Sequence, residues 1–243
     1  MKVCVFVMYH DDASLQFIEA NYGRYLDRWM FPLKITSTRY MESIVFLEEL
    51  DRPEVKEQWA TADLVGCIGW RWKKKEVPEH AMNELMDALL ASPPSAFKED
   101  GGRILIHFLR MCGNIFRPHS HPRMEEIMNR LLRDHMGFPE ELAAIAEIPF
   151  FPCNYWMTSP GLMTRYMSFL REARTAMETD PVLVELLLED AKYEGNVSRE
   201  RLLELMDRPY YTHHCFVMER LCCVFFWREK ISPQLCHKKL ILC

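Results

Sequence analysis

Six consecutive apolar residues, Val3-Cys4-Val5-Phe6-Val7-Met8, stop abruptly at Tyr9-His10-Asp11-Asp12, and the apolar positions beyond switch to a helical spacing. A run of that length bounded by polar residues reads as a strand. Leu15, Ile18, Tyr22, Tyr25, Leu26 and Trp29 then recur at three- and four-residue intervals, which places them on one face of a helix capped by Ser14 or Asp12. The opening is thus strand, loop, helix.

The alternation continues. Pro32 ends the first helical region, and residues 33–37 read as a second strand. A helix is predicted over 42–50. Residues 62–70 form an apolar run that reads as a buried strand, followed at once by Arg71-Trp72-Lys73-Lys74-Lys75. Further helices are predicted over 78–90, 124–136, 161–178 and 181–188, with a proline loop at 92–95 and a strand at 103–109. Gly137-Phe138-Pro139 stops the 124–136 helix. An aromatic, β-prone segment covers 149–157, and a last helix, 215–228, precedes a tail at 229–243. Short apolar strands separated by helices indicate an α/β layered fold, and the 243 residues fit one domain, 1–243.

Composition narrows the function classes. Lys and Arg total 30 against 35 Asp and Glu, a net charge of −5, which argues against nonspecific nucleic-acid binding. Neither G-x-x-x-x-G-K-[ST] nor G-x-G-x-x-G occurs, so the two glycine-rich phosphate cradles are absent. The opening apolar run is too short for a signal-peptide core and no stretch approaches the ~20 apolar residues of a membrane span, so the expectation is a cytoplasmic protein. Nine cysteines with no C-x-x-C pair suit reduced thiols. His213-His214-Cys215, Cys222-Cys223 and Cys236-His237 raise zinc as an alternative, but their spacings match no structural zinc pattern.

In open α/β sheets ligands bind beyond the carboxyl ends of the strands. That rule selects Tyr9-His10-Asp11-Asp12 and the segment from Trp70 through Lys75. The second combines aromatic surfaces with Arg and Lys charges, which suits a base or ribose plus a diphosphate. The plain alternative is a solvated charge run with tryptophans packed on the core. Asn154-Tyr155-Trp156 places an amide beside aromatic rings, as a sugar site would, or else belongs to an ordinary core strand. Glu219-Arg220 interrupts an apolar helix and must face water, a partner or a site. Glu219 is a candidate general base, or half of a structural ion pair. His213 and His214 precede that helix and are candidate phosphate or acceptor contacts.

The order of Val65-Gly66-Cys67-Ile68-Gly69-Trp70-Arg71-Trp72, Asn154-Tyr155-Trp156-Met157, a helix containing Tyr166 and Phe169, and Phe216-Val217-Met218-Glu219-Arg220-Leu221 resembles GT-A-like glycosyltransferases of bacterial polysaccharide clusters and large DNA viruses. The similarity spans about residues 1 to 228. It implies a Rossmann-like sheet flanked by helices and sugar transfer from a nucleoside-diphosphate sugar, UDP- or GDP-linked, to a glycan hydroxyl. By that resemblance Tyr9, His10, Asp11, Trp70, Arg71, Lys73, Lys74 and Arg220 face the donor. Asn154, Tyr155, Trp156, His213 and His214 line the acceptor side, and Glu219 is the base. Most GT-A enzymes hold Mg²⁺ or Mn²⁺ through Asp-x-Asp, which is absent here, so either the metal is held differently or cationic side chains replace it. The competing class is a noncatalytic α/β interaction or binding protein; a hydrolase using His10 with Asp11 or Asp12 lacks a nucleophile motif.

Overall fold

The opening apolar run forms β1 (Val3–Tyr9), buried on both faces except at its last residue. It lies between two parallel neighbours, β2 (Met30–Lys34) and β3 (Leu64–Gly69). The computed structural model describes residues 1–36, 38–72, 79–91, 105–107, 115, 121–138, 148, 150, 152–231 and 234–235. Lys73, Lys74, Cys236 and His237 lie outside the described residues, as do most of the 229–243 tail and the ends of the expected 103–109 strand.

The connection from β1 to β2 carries α1 (Asp12–Tyr22). Its cap is Asp11, not Ser14 or Asp12: Oδ1 of Asp11 accepts the Ser14 N–H at 2.7 Å, and the Ser14 hydroxyl accepts the Asp11 N–H at 3.0 Å. α1 stops at Tyr22, short of the expected Trp29, because Gly23–Tyr25 tightens into a 3₁₀ turn. β2 consequently starts earlier than expected and contains Pro32. It is the edge strand of the sheet, where a residue without an N–H is tolerated.

Between β2 and β3 lie α2 (Ile44–Leu47) and α3 (Pro53–Trp59). The single helix expected over 42–50 is split into a 3₁₀ turn at Met41–Ser43, α2 and a second 3₁₀ turn at Glu49–Asp51, because Glu48 (φ −136°) leaves the helical region. After α4 (Glu79–Ala91) comes β4 (Leu105–His107). The described part of 149–157 is mostly turn: Pro152–Asn154 is a 3₁₀ turn, and β5 is only Trp156–Thr158. β5 lies antiparallel between β3 and β4, and the two-residue β6 (Gln234–Leu235) closes the order β2-β1-β3-β5-β4-β6. A Cβ at Gly66 would overlap the Trp156 carbonyl and Met157, so glycine there permits the close β3–β5 approach.

Helices complete the α/β arrangement. α5 (Met124–Arg130) continues as a π-turn to His135 and ends before Gly137, which has φ +66°. α6 (Pro160–Thr179), α7 (Pro181–Leu187), α8 (Arg199–Met206) and α9 (His214–Arg228) follow. α8 was not anticipated. Trp156 is fully buried, stacked on Phe46 with centroids 5.2 Å apart and edge-on to Tyr166 and Phe226. Asp180 caps α7 by accepting the Val182 and Leu183 N–H groups, and the same carboxylate receives Arg130 at 2.8 Å and His135 at 2.6 Å. Among the described residues no helix is long and apolar enough to cross a membrane.

Candidate functional site

From β1 the chain runs to β2 on one side of the sheet and returns to β3 on the other, so the topology switches between the carboxyl ends of β1 and β3. Such a switch point opens a crevice above the sheet. His10, immediately after β1, lines a cavity of about 400 Å³ together with the Met41–Ser43 turn, the Cys153-Asn154 corner and the first turns of α9.

Two carboxylates converge on this cavity. Glu219 projects from α9, and its Oε1 accepts the backbone N–H of Cys153. Cys153 (φ 70°) and Asn154 (φ 52°) are both left-handed, a conformation that costs roughly 1 kcal/mol or more in a residue with a side chain. The turn they form aims the Cys153 N–H at Glu219. Glu42 comes from the 3₁₀ turn after β2. A Cβ at Gly69 would lie 2.9 Å from Glu42 Oε1 and collide with the Tyr155 hydroxyl, so the bare end of β3 is what admits both groups. Tyr155 is buried against Gly69, and burial pushes its phenol well above the usual range.

Asn154 is 3% exposed. Its Nδ2 donates to Ser43 Oγ at 3.1 Å, and its Oδ1 has no partner among the described residues. A buried amide oxygen left unpaired is costly.

The opposite wall is aromatic. His121 stacks on Phe216 with centroids 3.8 Å apart; Tyr193 meets Phe216 and Tyr211, each at 5.1 Å. A Cβ at Gly195 would overlap the Tyr211 ring, so that glycine makes room for the wall. Burial lowers the His121 imidazolium to about 4 despite its contact with the Ala191 carbonyl. His10 is also lowered, chiefly by desolvation, with Asp11 opposing and the Arg201 charge of α8 reinforcing the shift.

The other expected site residues are spread around this centre. Tyr9 ends β1, half-buried. The Asp11 carboxylate is committed to capping α1 and is held low first by its Ser14 hydrogen bonds, with a smaller contribution from Arg71. Arg71 lies over the Trp70 ring at 4.1 Å, and Phe17 meets the same ring edge-on at 5.3 Å. Trp72 is buried against Tyr22, as the plain core reading expects. Trp156 faces the core and not the cavity. His213 is buried with Nε2 2.7 Å from the Pro122 carbonyl. His214 is buried beside Tyr40 and Thr212, and burial lowers it to about 3. Arg220 is buried too, donating to the carbonyls of Ile115 and Phe216 at 2.8 Å each.

Glu42, His121, Tyr193 and Tyr211 were not singled out from sequence. Tyr193 was the most visible of them, an aromatic between Lys192 and Glu194 in a polar stretch ending at Gly195.

No family model, curated protein or solved structure matches this chain. Among the described residues no three His, Cys, Asp or Glu side chains converge in a way that would hold a metal ion. These residues do not fit the Mg²⁺ or Mn²⁺ that the GT-A resemblance implies.

Proposed function

We propose that the chain is a nucleotide-sugar-dependent glycosyltransferase with a GT-A-like domain, transferring a sugar to a hydroxyl of a glycan acceptor. The observation that carries the reading is the Glu219 carboxylate, held by the Cys153 N–H and opening on a cavity at the β1/β3 switch point. The α/β mixed sheet is consistent with it.

In this reading the acceptor hydroxyl oxygen attacks the anomeric carbon while its proton passes to Glu219, and the bond from that carbon to the diphosphate oxygen breaks. Oε1 accepts the Cys153 N–H, which orients the carboxylate toward the cavity. Such a positioned carboxylate contributes about 10²–10⁴-fold. Charge builds on the departing diphosphate, and Arg71 and Arg201, both near the His10-Asp11 corner, are the cations within the described residues that would stabilise it.

Transfer from a panel of UDP- and GDP-sugars to simple glycosides, with and without EDTA, tests the proposal. Turnover of at least one donor supports it, and Arg71→Ala should then weaken donor binding. Failure of every donor, together with no thermal stabilisation by any nucleoside diphosphate, would overturn it in favour of a noncatalytic binding protein, since a ligand selective for the native state must raise its stability.

A further inference from the structure

Tyr40 borders a second cavity besides the one that Glu219 lines. Its volume is about 430 Å³, within the ~300–1,000 Å³ range of small-molecule sites. Two acids, Glu48 and Glu178, and two arginines, Arg39 and Arg174, line it, so the charges of the lining cancel. They are unevenly paired. Arg174 donates to both acids, to Glu48 at 2.7 Å and to Glu178 at 2.9 Å, and the Tyr40 hydroxyl also donates to Glu178 at 2.7 Å. All three bonds go to Oε1 atoms. Arg39 makes no hydrogen bond or ion pair among the described residues, although its charge acts on Glu178, Tyr40 and His214. A guanidinium and a carboxylate of one cavity thus feel each other without touching.

His214 supplies a second unused group. It is 3% exposed, its Nδ1 lies 3.0 Å from the Thr212 hydroxyl oxygen, and its Nε2 has no hydrogen-bond partner among the described residues. Burial first, and the Arg39 charge second, keep the ring neutral; a neutral ring whose Nδ1 accepts from Thr212 presents Nε2–H as a donor. His214 also opens α9, an N-terminus without a side-chain cap, where the helix dipole favours a negative group. Apolar side chains of Ile44, Met177, Val184 and Leu188 complete the lining.

We propose that this cavity binds a zwitterionic α-amino acid with an apolar side chain: its carboxylate between the Arg39 guanidinium and His214 Nε2, its ammonium on Glu178 and Glu48, and its side chain against Met177, Val184 and Leu188. Such a ligand matches a lining that carries both signs and no net charge, whereas a lone anion would face two acids and a lone cation two arginines. The planar fork of Arg39 suits a carboxylate in particular. The assignment is independent of the transferase reading, because none of the groups it uses lines the Glu219 cavity.

The test is ligand-detected NMR and calorimetric titration of the full chain with leucine, methionine and phenylalanine, alongside leucine methyl ester and isocaproate. At least one amino acid should bind. The ester, which has lost the carboxylate charge, and isocaproate, which has lost the ammonium, should each bind about tenfold or more weakly than leucine. Arg39 is exposed, so Arg39→Ala leaves the core intact; it should weaken the amino acid about tenfold or more and leave the ester as it was. If no amino acid binds, if the ester or isocaproate binds as tightly as leucine, or if Arg39→Ala binds like the parent, the site is wrong. The two proposals fail separately. Arg39-dependent amino-acid binding without turnover of any sugar donor leaves this site standing and removes the transferase; donor turnover without amino-acid binding does the reverse.

Discussion

The backbone N–H of Cys153 donates to Oε1 of Glu219, joining a left-handed corner before β5 to the middle of α9 across 66 residues of sequence. This bond fixes how the carboxylate is presented to the cavity. Glu219→Gln preserves an acceptor for Cys153 and abolishes the base. Turnover should fall about 10²–10⁴-fold with little change in melting temperature. Unchanged turnover with a lowered melting temperature would make Glu219 an anchor of α9 instead.

Gly69→Ala places a methyl group against the Tyr155 hydroxyl and Glu42. Overpacking of this kind costs roughly 1–3 kcal/mol, read by urea denaturation, and should disturb the acid side of the cavity. Adding Tyr155→Phe removes the oxygen that collides, so the double variant should recover part of the loss. Strict additivity of the two changes would show that the contact is not what limits position 69.

Stability should depend on pH through the half-buried His121 and the buried His214. The folded chain holds His121 near 4 and His214 near 3, both lowered first by burial, whereas an unfolded histidine titrates near ~6.5. Between those values the unfolded state binds more protons than the folded one. The contribution is therefore complete above about pH 6.5 and is lost as pH falls toward about 4, with a slope of up to ~1.4 kcal/mol per pH unit for each group. Denaturation midpoints at pH 7.5, 6.0 and 5.0 measure this, and His121→Gln should flatten the slope. A flat profile over that range in the parent chain contradicts it.

Asp180 serves α5, the following π-turn and α7 with one carboxylate. Its hydrogen bonds from Arg130, His135, Leu183 and Val182 outweigh burial and hold the acid far below the usual carboxylate range. Asp180→Ala strips a helix cap and leaves the partly exposed Arg130 only its 4.0 Å contact with Asp134, an expected loss of roughly 2 kcal/mol in chemical denaturation. Asp180→Asn should lose less, because the cap survives. A cost below about 0.5 kcal/mol for the alanine variant would show that Arg130 and His135 find other partners.

The strands and long helices were legible because burial imposes a period. β1, β3, α6 and α9 appear within a few residues of where apolar spacing puts them. Boundaries set by single dihedrals were not: Asp11 displaced Ser14 as the cap, and Glu48 broke a helix whose apolar spacing runs on through it. α8 was readable in principle, since Ser198 accepts the Arg201 N–H at 3.2 Å and Leu202 and Met206 follow at helical spacing. The site was half legible. His10, Asn154 and Glu219 were singled out and share one cavity, whereas Trp156, His213, His214 and Arg220 carry the same functional chemistry into the interior. Residue type alone cannot separate those cases, because an aromatic or a histidine serves packing as readily as binding. Glu42 and Tyr193 became relevant only through contacts made across the fold.

β5 contributes three residues, and they are the entire seam between the parallel strands β2-β1-β3 and the pair β4-β6. Chain closure at that seam joins segments far apart in sequence, with Trp156–Thr158 facing residues 65–67 on one edge and 105–107 on the other. Segments held by only three residue pairs on each edge open at lower free energy than a strand paired along its whole length on both edges. Amide hydrogens of β4 should therefore exchange together with those of β5 as one unit, while β1, locked between two parallel neighbours, outlasts them.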